Sequence, residues 1–427
     1  MISKASQKVK CLIIRLLESD SLNKVSNQRK NIISVVLWHY LGIKGRINFL
    51  QLERYSGICE QTFRNHFEQS FDFMAFNTEM INSIDLKDRV IAFDPSYIPK
   101  TGKCTYGGSY FWSGAAKSAK WGLDICGFAV VDTTKGVAFH LNAWQTPSAS
   151  DLNGSNQTLL GHYAKLISDN ASHFKGVTDY VVGDAYFSKK PVLDAVLTAK
   201  LHLISRLRGD SVLKYIYYGE RTGKKGAPKK YNGKVDVKNL NIDYFTLDTD
   251  NDEVKIYSAI VYSQAFKRNI KLAVAIFVKD KKEVARKLYF STDLTLSGKT
   301  VVRYYRSRFQ IEFLYRDAKQ YTGLTNCQAR SENKLDFHFN AALTAVNIAK
   351  QDWITTKSED DKVFSMANYK TLYNNTLLLE RFICKFGINP HTQKNQKTIT
   401  ELLDYGKISV AKLVFLIYIE VYLSKIG

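Results

Sequence analysis

"RVIAFDPSYI", Arg89 to Ile98, reads as a β-strand whose short apolar run ends on an acid, Asp94. Two further strand patterns follow, "WGLDICGFAVVD" and "GVAFHLNAWQT", separated by the turn residues "TTKG". Next come a helical pattern within "NQTLLGHYAKLISD" and a second strand running into an acid, "DYVVGDAYF" with Asp184. A helix in "KKPVLDAVLTAK" and a strand in "HLISRLR" complete the series. Three strands, helix, strand, helix, strand is the order of a ribonuclease H-like mixed sheet, so the expected class is α/β.

Outward from this core the pattern changes twice. Residues 209–300 contain the basic, turn-rich "RTGKKGAPKKYNGK" from Arg221 and after it the strand-like "YFTL", "VKIYSAIVY", "KLAVAIFV" and "KLYFST", a β-rich insertion. The mixed sheet is therefore assigned to 86–208 and 301–350, with helical regions at 1–85 and 351–427. In the first of these, "INFLQLERYSGICEQTFRNHFEQSF" has the form of a helix-turn-helix. Leu50 and Leu52 are expected to face inward, Gly57 to make the turn, and Gln61, Arg64 and Asn65 to point from the second helix toward a DNA groove. An ordinary helical hairpin reads the same way.

Sixty-one Lys plus Arg against forty Asp plus Glu leave a net charge of +21 over 427 residues, which makes nucleic acid the leading class of partner. A basic surface without a partner is the plainer reading. The six cysteines form no C-x-x-C pair, which excludes a zinc ribbon and points to a reducing compartment. The opening "MISKASQKVKCLIIRLL" is too short in its apolar run for a signal peptide. "AKLVFLIYIEVYLSKIG", at the other end, is interrupted by Glu420. No membrane partner is expected, and the location expected is cytoplasmic and nucleoid-associated.

The stretch "YYRSRFQIEFLYRDAK", Tyr304 to Lys319, sets one glutamate among bases and aromatics. At about 100° per residue, Tyr305, Arg308, Glu312 and Lys319 share one face of a continuous helix, with Leu314 and Ala318 opposite and Asp317 turned away to solvent. Alone this is a surface salt-bridge ladder. With Asp94 and Asp184 at strand ends it becomes a third carboxylate, and three converging carboxylates repel unless cations lie between them. Two divalent metals would relieve that repulsion and activate a water or a 3′ hydroxyl against a phosphodiester. Oxygen ligands without imidazole or thiolate favour magnesium, Mg2+, with Mn2+ able to substitute.

The spacing Tyr305-x2-Arg308-x3-Glu312-x6-Lys319 resembles the Y-R-E-K signature of bacterial insertion-sequence transposases of the DDE type. "FDPSYIPKTGK" and "GDAYF" are similar to that family's two aspartate blocks, and "YRDAKQYTGLTNCQAR" to its continuation after the glutamate. The resemblance covers roughly residues 90–350. It implies that Asp94, Asp184 and Glu312 hold two Mg2+ ions and that Tyr305, Arg308 and Lys319 contact phosphates at the cleaved DNA end. It also implies binding to double-stranded DNA at terminal inverted repeats, cleavage, and joining to target DNA, with a homodimer in the DNA complex. In relatives that excise through a hairpin an aromatic captures a flipped base. Trp112 and Trp121 are possible equivalents here, although a core position is the plainer expectation for both.

Other motifs fail. "SGKT" at Ser297–Thr300 has Asp293 where a phosphate-binding loop needs its first glycine, and "DTDNDE" from Asp248 has Glu253 where a calcium loop needs glycine, so the latter reads as a polar hairpin turn. Asp132 ends a strand expected to run antiparallel to that of Asp94, at the opposite edge. Two rival functions stay open: a ribonuclease H-like nuclease that does not join strands, and a DNA-binding repressor with a silent catalytic domain.

Overall fold

A computed structural model describes residues 4–220, 227–356 and 363–408. Five helices open the chain: α1 (Lys4–Leu17), α2 (Asn27–Gly42), α3 (Phe49–Ser56), α4 (Glu60–Phe67) and α5 (Phe73–Asn82). Ser26, Asn48 and Asp72 begin α2, α3 and α5 by accepting the backbone N–H three residues on, which satisfies a donor that has no partner within the helix. Gly57 ends α3 at φ 76°, a left-handed turn that glycine takes without strain.

Strands follow: β1 (Arg89–Pro99), β2 (Ser109–Ser113), β3 (Ser118–Asp132) and β4 (Val137–Gln145). Then come helices α6 (Ala149–Gly154), α7 (Leu159–Asp169) and α8 (Ala171–Lys175), strand β5 (Tyr180–Val182), helix α9 (Lys190–Thr198) and strand β6 (His202–Leu207). β1 is antiparallel to β3, from Arg89↔Asp132 to Pro99↔Gly122, and parallel to β5 through Ile91↔Val181 and Ala92↔Val182. With β5 parallel to β6 and β4 beside β3, the order β4-β3-β1-β5-β6 is the mixed sheet expected of a ribonuclease H-like fold. Asp132, paired with Arg89 at the start of β1, lies at the opposite edge from Asp94, as expected.

Strands β7 (Leu213–Ile216), β8 (Tyr231–Lys234), β9 (Thr246–Asp250), β10 (Val254–Ser263), β11 (Arg268–Lys279) and β12 (Lys282–Ser291) carry the same sheet onward, because β12 pairs antiparallel with β6. The twelve strands thus form one sheet. The turn between β9 and β10 is the polar hairpin read in "DTDNDE". Residues 221–226 of the basic turn-rich stretch lie outside the described residues. Among the described residues five helices follow: α10 (Gly298–Ser307), α11 (Gln310–Tyr321), α12 (Glu332–Thr356), α13 (Met366–Phe386) and α14 (Gln393–Asp404). "AKLVFLIYIEVYLSKIG" also lies outside the described residues. No described helix is long and apolar enough to cross a membrane.

Alternation along β1 and β3 divides the core between the two faces of the sheet. Ala92, Ile98, Leu123 and Ile125 pack with α2, α11 and α12 on one face, and Ile91, Phe93, Cys126 and Phe128 with α7 and α9 on the other. Helix α12 is buried along most of its length and covers the edge strand β4. Asn347 accepts from His140 N at 2.7 Å and donates to its carbonyl at 2.8 Å. Asn340 accepts from Ala143 N at 2.8 Å, and Lys350 donates to Ala138 O at 2.8 Å. Buried polar side chains on the helix therefore supply the hydrogen bonds that another strand would have made.

Candidate active site

Asp94 stands in the middle of β1, not at its end as its apolar run suggested. β1 continues to Pro99 because it stays paired with β3, whereas its parallel pairing with β5 stops at Ala92. The edge on which the carboxylates meet is therefore made by β5, which ends at Val182. Asp184 follows two residues later and caps a short 3-10 turn, Ala185–Phe187, accepting the Ala185 N–H at 2.6 Å.

The helical stretch opposite is broken, against the expectation of one continuous helix. α10 ends at Ser307 and α11 begins at Gln310, and i to i+3 bonds (Arg308 N to Tyr305 O, Ile311 N to Arg308 O) tighten the junction. Ile311, Leu314 and Ala318 anchor α11 in the core as read from the sequence. Asp317 is buried, not solvated, and pairs with Arg316 at 3.1 Å.

The break leaves Arg308 at a corner, and its guanidinium spans two acids, at 3.2 Å from Asp94 Oδ1 and 2.9 Å from Glu312 Oε1. The Tyr305 hydroxyl donates to Asp184 Oδ1 at 3.4 Å. Lys319 Nζ donates to Ser96 Oγ at 2.9 Å and to Tyr97 O at 3.0 Å, two and three residues beyond Asp94 on β1. The structure thus brings together Asp94, Asp184, Glu312, Tyr305 and Arg308, with Lys319 beside them.

Burial, reinforced by Glu312, Asp184 and Asp124, pushes the Asp94 carboxyl up to about 7 against the pull of Arg308. Burial also raises Glu312, again opposed by Arg308 and assisted by Asp184. The Tyr305 phenol is pushed up to about 12 by burial, which keeps it a donor. Burial holds the Lys319 ammonium below its usual value while Asp124 and Asp94 pull it back. The acids are short of positive charge, and their donor set, all carboxylate oxygen, suits a hard divalent cation. Among the described residues no three such groups are yet close enough to enclose one ion. Arg308 stands between two of them.

Three residues that the sequence reading missed complete the site. The Tyr315 hydroxyl donates to Asp94 O at 2.7 Å and accepts from Gly127 N at 2.8 Å, joining β1 and β3 at the pair that carries Asp94. A methyl group on Gly127 would stand 2.4 Å from that hydroxyl, so glycine is required there. Asp124, buried within β3, accepts from Thr146 Oγ1 at 2.6 Å, and burial pushes its carboxyl up to about 6. The available signals were an acid inside an apolar strand and, for Tyr315, its place one turn after Glu312.

Gln61, Arg64 and Asn65 lie apart from these groups, on α4, which packs against α2, α3 and α12. Gln61 and Asn65 are exposed and hydrogen-bonded to each other at 2.8 Å. Arg64 is half-buried, paired with Glu60 at 3.3 Å and lying over the Phe49 ring. Leu52 is buried as expected, but Leu50 is 49 % exposed, because residues two apart on a helix point about 200° apart. Trp112, expected in the core, is 67 % exposed.

A family model described as "Transposase DDE domain" matches residues 85–348, more than half of the chain. No curated protein matches it.

Proposed function

From the premise that this chain belongs to the transposase DDE domain family, we propose that it binds the terminal inverted repeats of a mobile element, cleaves the DNA ends and joins them to target DNA. The observation that carries the reading is the convergence of Asp94, Asp184 and Glu312 from β1, the end of β5 and α11, with Arg308 and Tyr305 bonded to them. Such a donor set fits two Mg2+ ions, with Mn2+ able to substitute, and these would supply activation of the attacking oxygen and stabilisation of the leaving one. Asp94 and Glu312 can hold cations only when Arg308 gives them up, and the released guanidinium is then placed for a phosphate oxygen. Lys319, fixed to β1 by Ser96 and Tyr97 O, offers a second phosphate contact, and Tyr305 steadies Asp184. In this reading residues 1–85 recognise the repeat through Gln61, Arg64 and Asn65, residues 86–208 and 301–350 cut, 209–300 is an insertion between those two parts, and 351–427 follows as a helical region. A homodimer would hold the paired ends.

The test uses DNA carrying the repeats that flank the coding region, incubated with Mg2+ and the full chain. Asp94→Ala, Asp184→Ala and Glu312→Ala should each abolish cleavage while end binding survives, since affinity comes mainly from phosphate neutralisation elsewhere. Cutting by Glu312→Ala would end the assignment. Cleaved ends that never enter a second duplex would favour the nuclease that does not join strands.

A further inference from the structure

The 29 residues between Asp94 and Asp124 contain no acid, four lysines and six aromatic side chains, in a chain where charged residues make up 24 %. They hold the end of β1, all of β2 and the start of β3. β3 outruns β1: its pairing with β1 ends at Gly122↔Pro99, and Ser118–Trp121 project beyond it, paired on their other side with β2. Because β3 runs antiparallel to β1, this two-stranded arm leaves the sheet from the edge that carries Asp94 and Asp184.

The arm is a poor candidate for folding alone and an unusual surface. Tyr110 is 70 % exposed and Trp112 67 %. Register places Tyr110 opposite Trp121 and Trp112 opposite Ala119, so the three rings share one face, with Tyr110 and Trp121 edge to face at 5.7 Å. Trp121 lies six residues from Gly127, the partner of Asp94, and an even separation along a strand puts it on the face of the sheet that carries Asp94. Lys103, Lys117 and Lys120 are exposed in the same segment. Aromatic faces set among lysines without acids suit a phosphate-bearing polymer with sugar and base faces to pack on.

We infer that the β2–β3 arm is a DNA-holding element that enters a groove: on one face Tyr110 and Trp112 pack against sugars and bases, while Lys117 in the turn at its tip and Lys120 on the opposite face, level with Phe111, take backbone phosphates. The inference rests on the transposase reading and adds a contact beyond its cutting site. Trp112 lies level with Ala119, eight residues along β3 from Gly127, so at about 3.3 Å per residue the contact is roughly 26 Å from Asp94. That corresponds to about eight base pairs of duplex from the scissile phosphate.

The experiment measures binding of the full chain to a fluorescein-labelled mixed-sequence duplex by anisotropy across about 50 to 200 mM salt. Lys117→Gln with Lys120→Gln should make the plot of log affinity against log salt shallower by about two, since each lost phosphate contact removes about 0.9. Trp112→Ala with Tyr110→Ala should weaken binding severalfold and leave the slope unchanged, because no charge is removed. All four positions are exposed, so folding is retained. An unchanged slope for the lysine pair overturns the inference. So does an aromatic pair that leaves DNA affinity intact but alters sedimentation of the DNA-free chain, which would assign the face to a second copy. Binding without cleavage by the wild-type chain would instead sink the cutting reading and leave the arm standing.

Discussion

At the scale of a residue, the carboxylate cluster is held by buried side chains behind it. Tyr315 ties the backbone of Asp94 to that of Gly127 and to α11, one turn after Glu312, so a single hydroxyl couples two of the three acids. Tyr315→Phe keeps the ring and removes both bonds of the hydroxyl, to Asp94 O and from Gly127 N, at a cost of about 0.5–1.5 kcal/mol each. The cleavage rate in single turnover should fall at least tenfold, because misplacement of a reacting group by a fraction of an ångström is expensive, while DNA affinity stays within about twofold. A variant that melts earlier yet cuts at the wild-type rate well below its melting point would reduce Tyr315 to a brace.

At the scale of an element, the helix-turn-helix pattern gave a helix pair with the expected glycine turn, but its packing changes what can be asked of it. Phe67 of α4 lies 4.2 Å between ring centroids from Phe337 of α12, and α2 packs against both α12 and α13. Removing residues 1–85 would strip the core rather than release a module, so point variants are the proper probe. Gln61→Ala with Asn65→Ala removes two exposed, mutually bonded amides that are free to turn toward bases. In competition between the element's own end and unrelated duplex, the variant should lose about 1–3 kcal/mol of preference for each base contact and keep its salt slope. Full preference in the double variant would remove α4 from recognition.

At the scale of the molecule, burial of charge makes stability depend on pH in a stated direction. Lys370 Nζ donates to Tyr40 O at 2.8 Å where α13 meets α2, and burial lowers its ammonium to about 7. Lys350, on α12 where the helix covers β4, is lowered to about 8 by burial. Between a folded value near 7 and an unfolded value near 10.4 the unfolded chain binds the extra proton, so stability rises with pH across that window and the penalty is complete below about 7. Lys370→Met should therefore raise the melting temperature most at pH 6.5, and the gain should shrink toward pH 10. Thermal denaturation of both chains across this range measures it. A gain that does not change with pH would mean that packing, not titration, sets the difference.

Local patterning determined much of this protein. The mixed-sheet class and the helical ends were legible because hydrophobic period and residue type act over a few neighbours, whereas the short strand β2, Ser109–Ser113, was not. Tertiary structure decided what depends on distant partners. β1 runs past Asp94 because β3 continues to pair with it, and α10 and α11 part at Arg308, whose guanidinium spans two acids. Asp317 is drawn inward, and Trp112 is left outside because β3 outruns its neighbour. Tyr315 and Gly127, 188 residues apart, share a hydrogen bond that no local pattern contains. A strand's length and a side chain's burial are set by what lies across the sheet, and that information is spread over the whole chain.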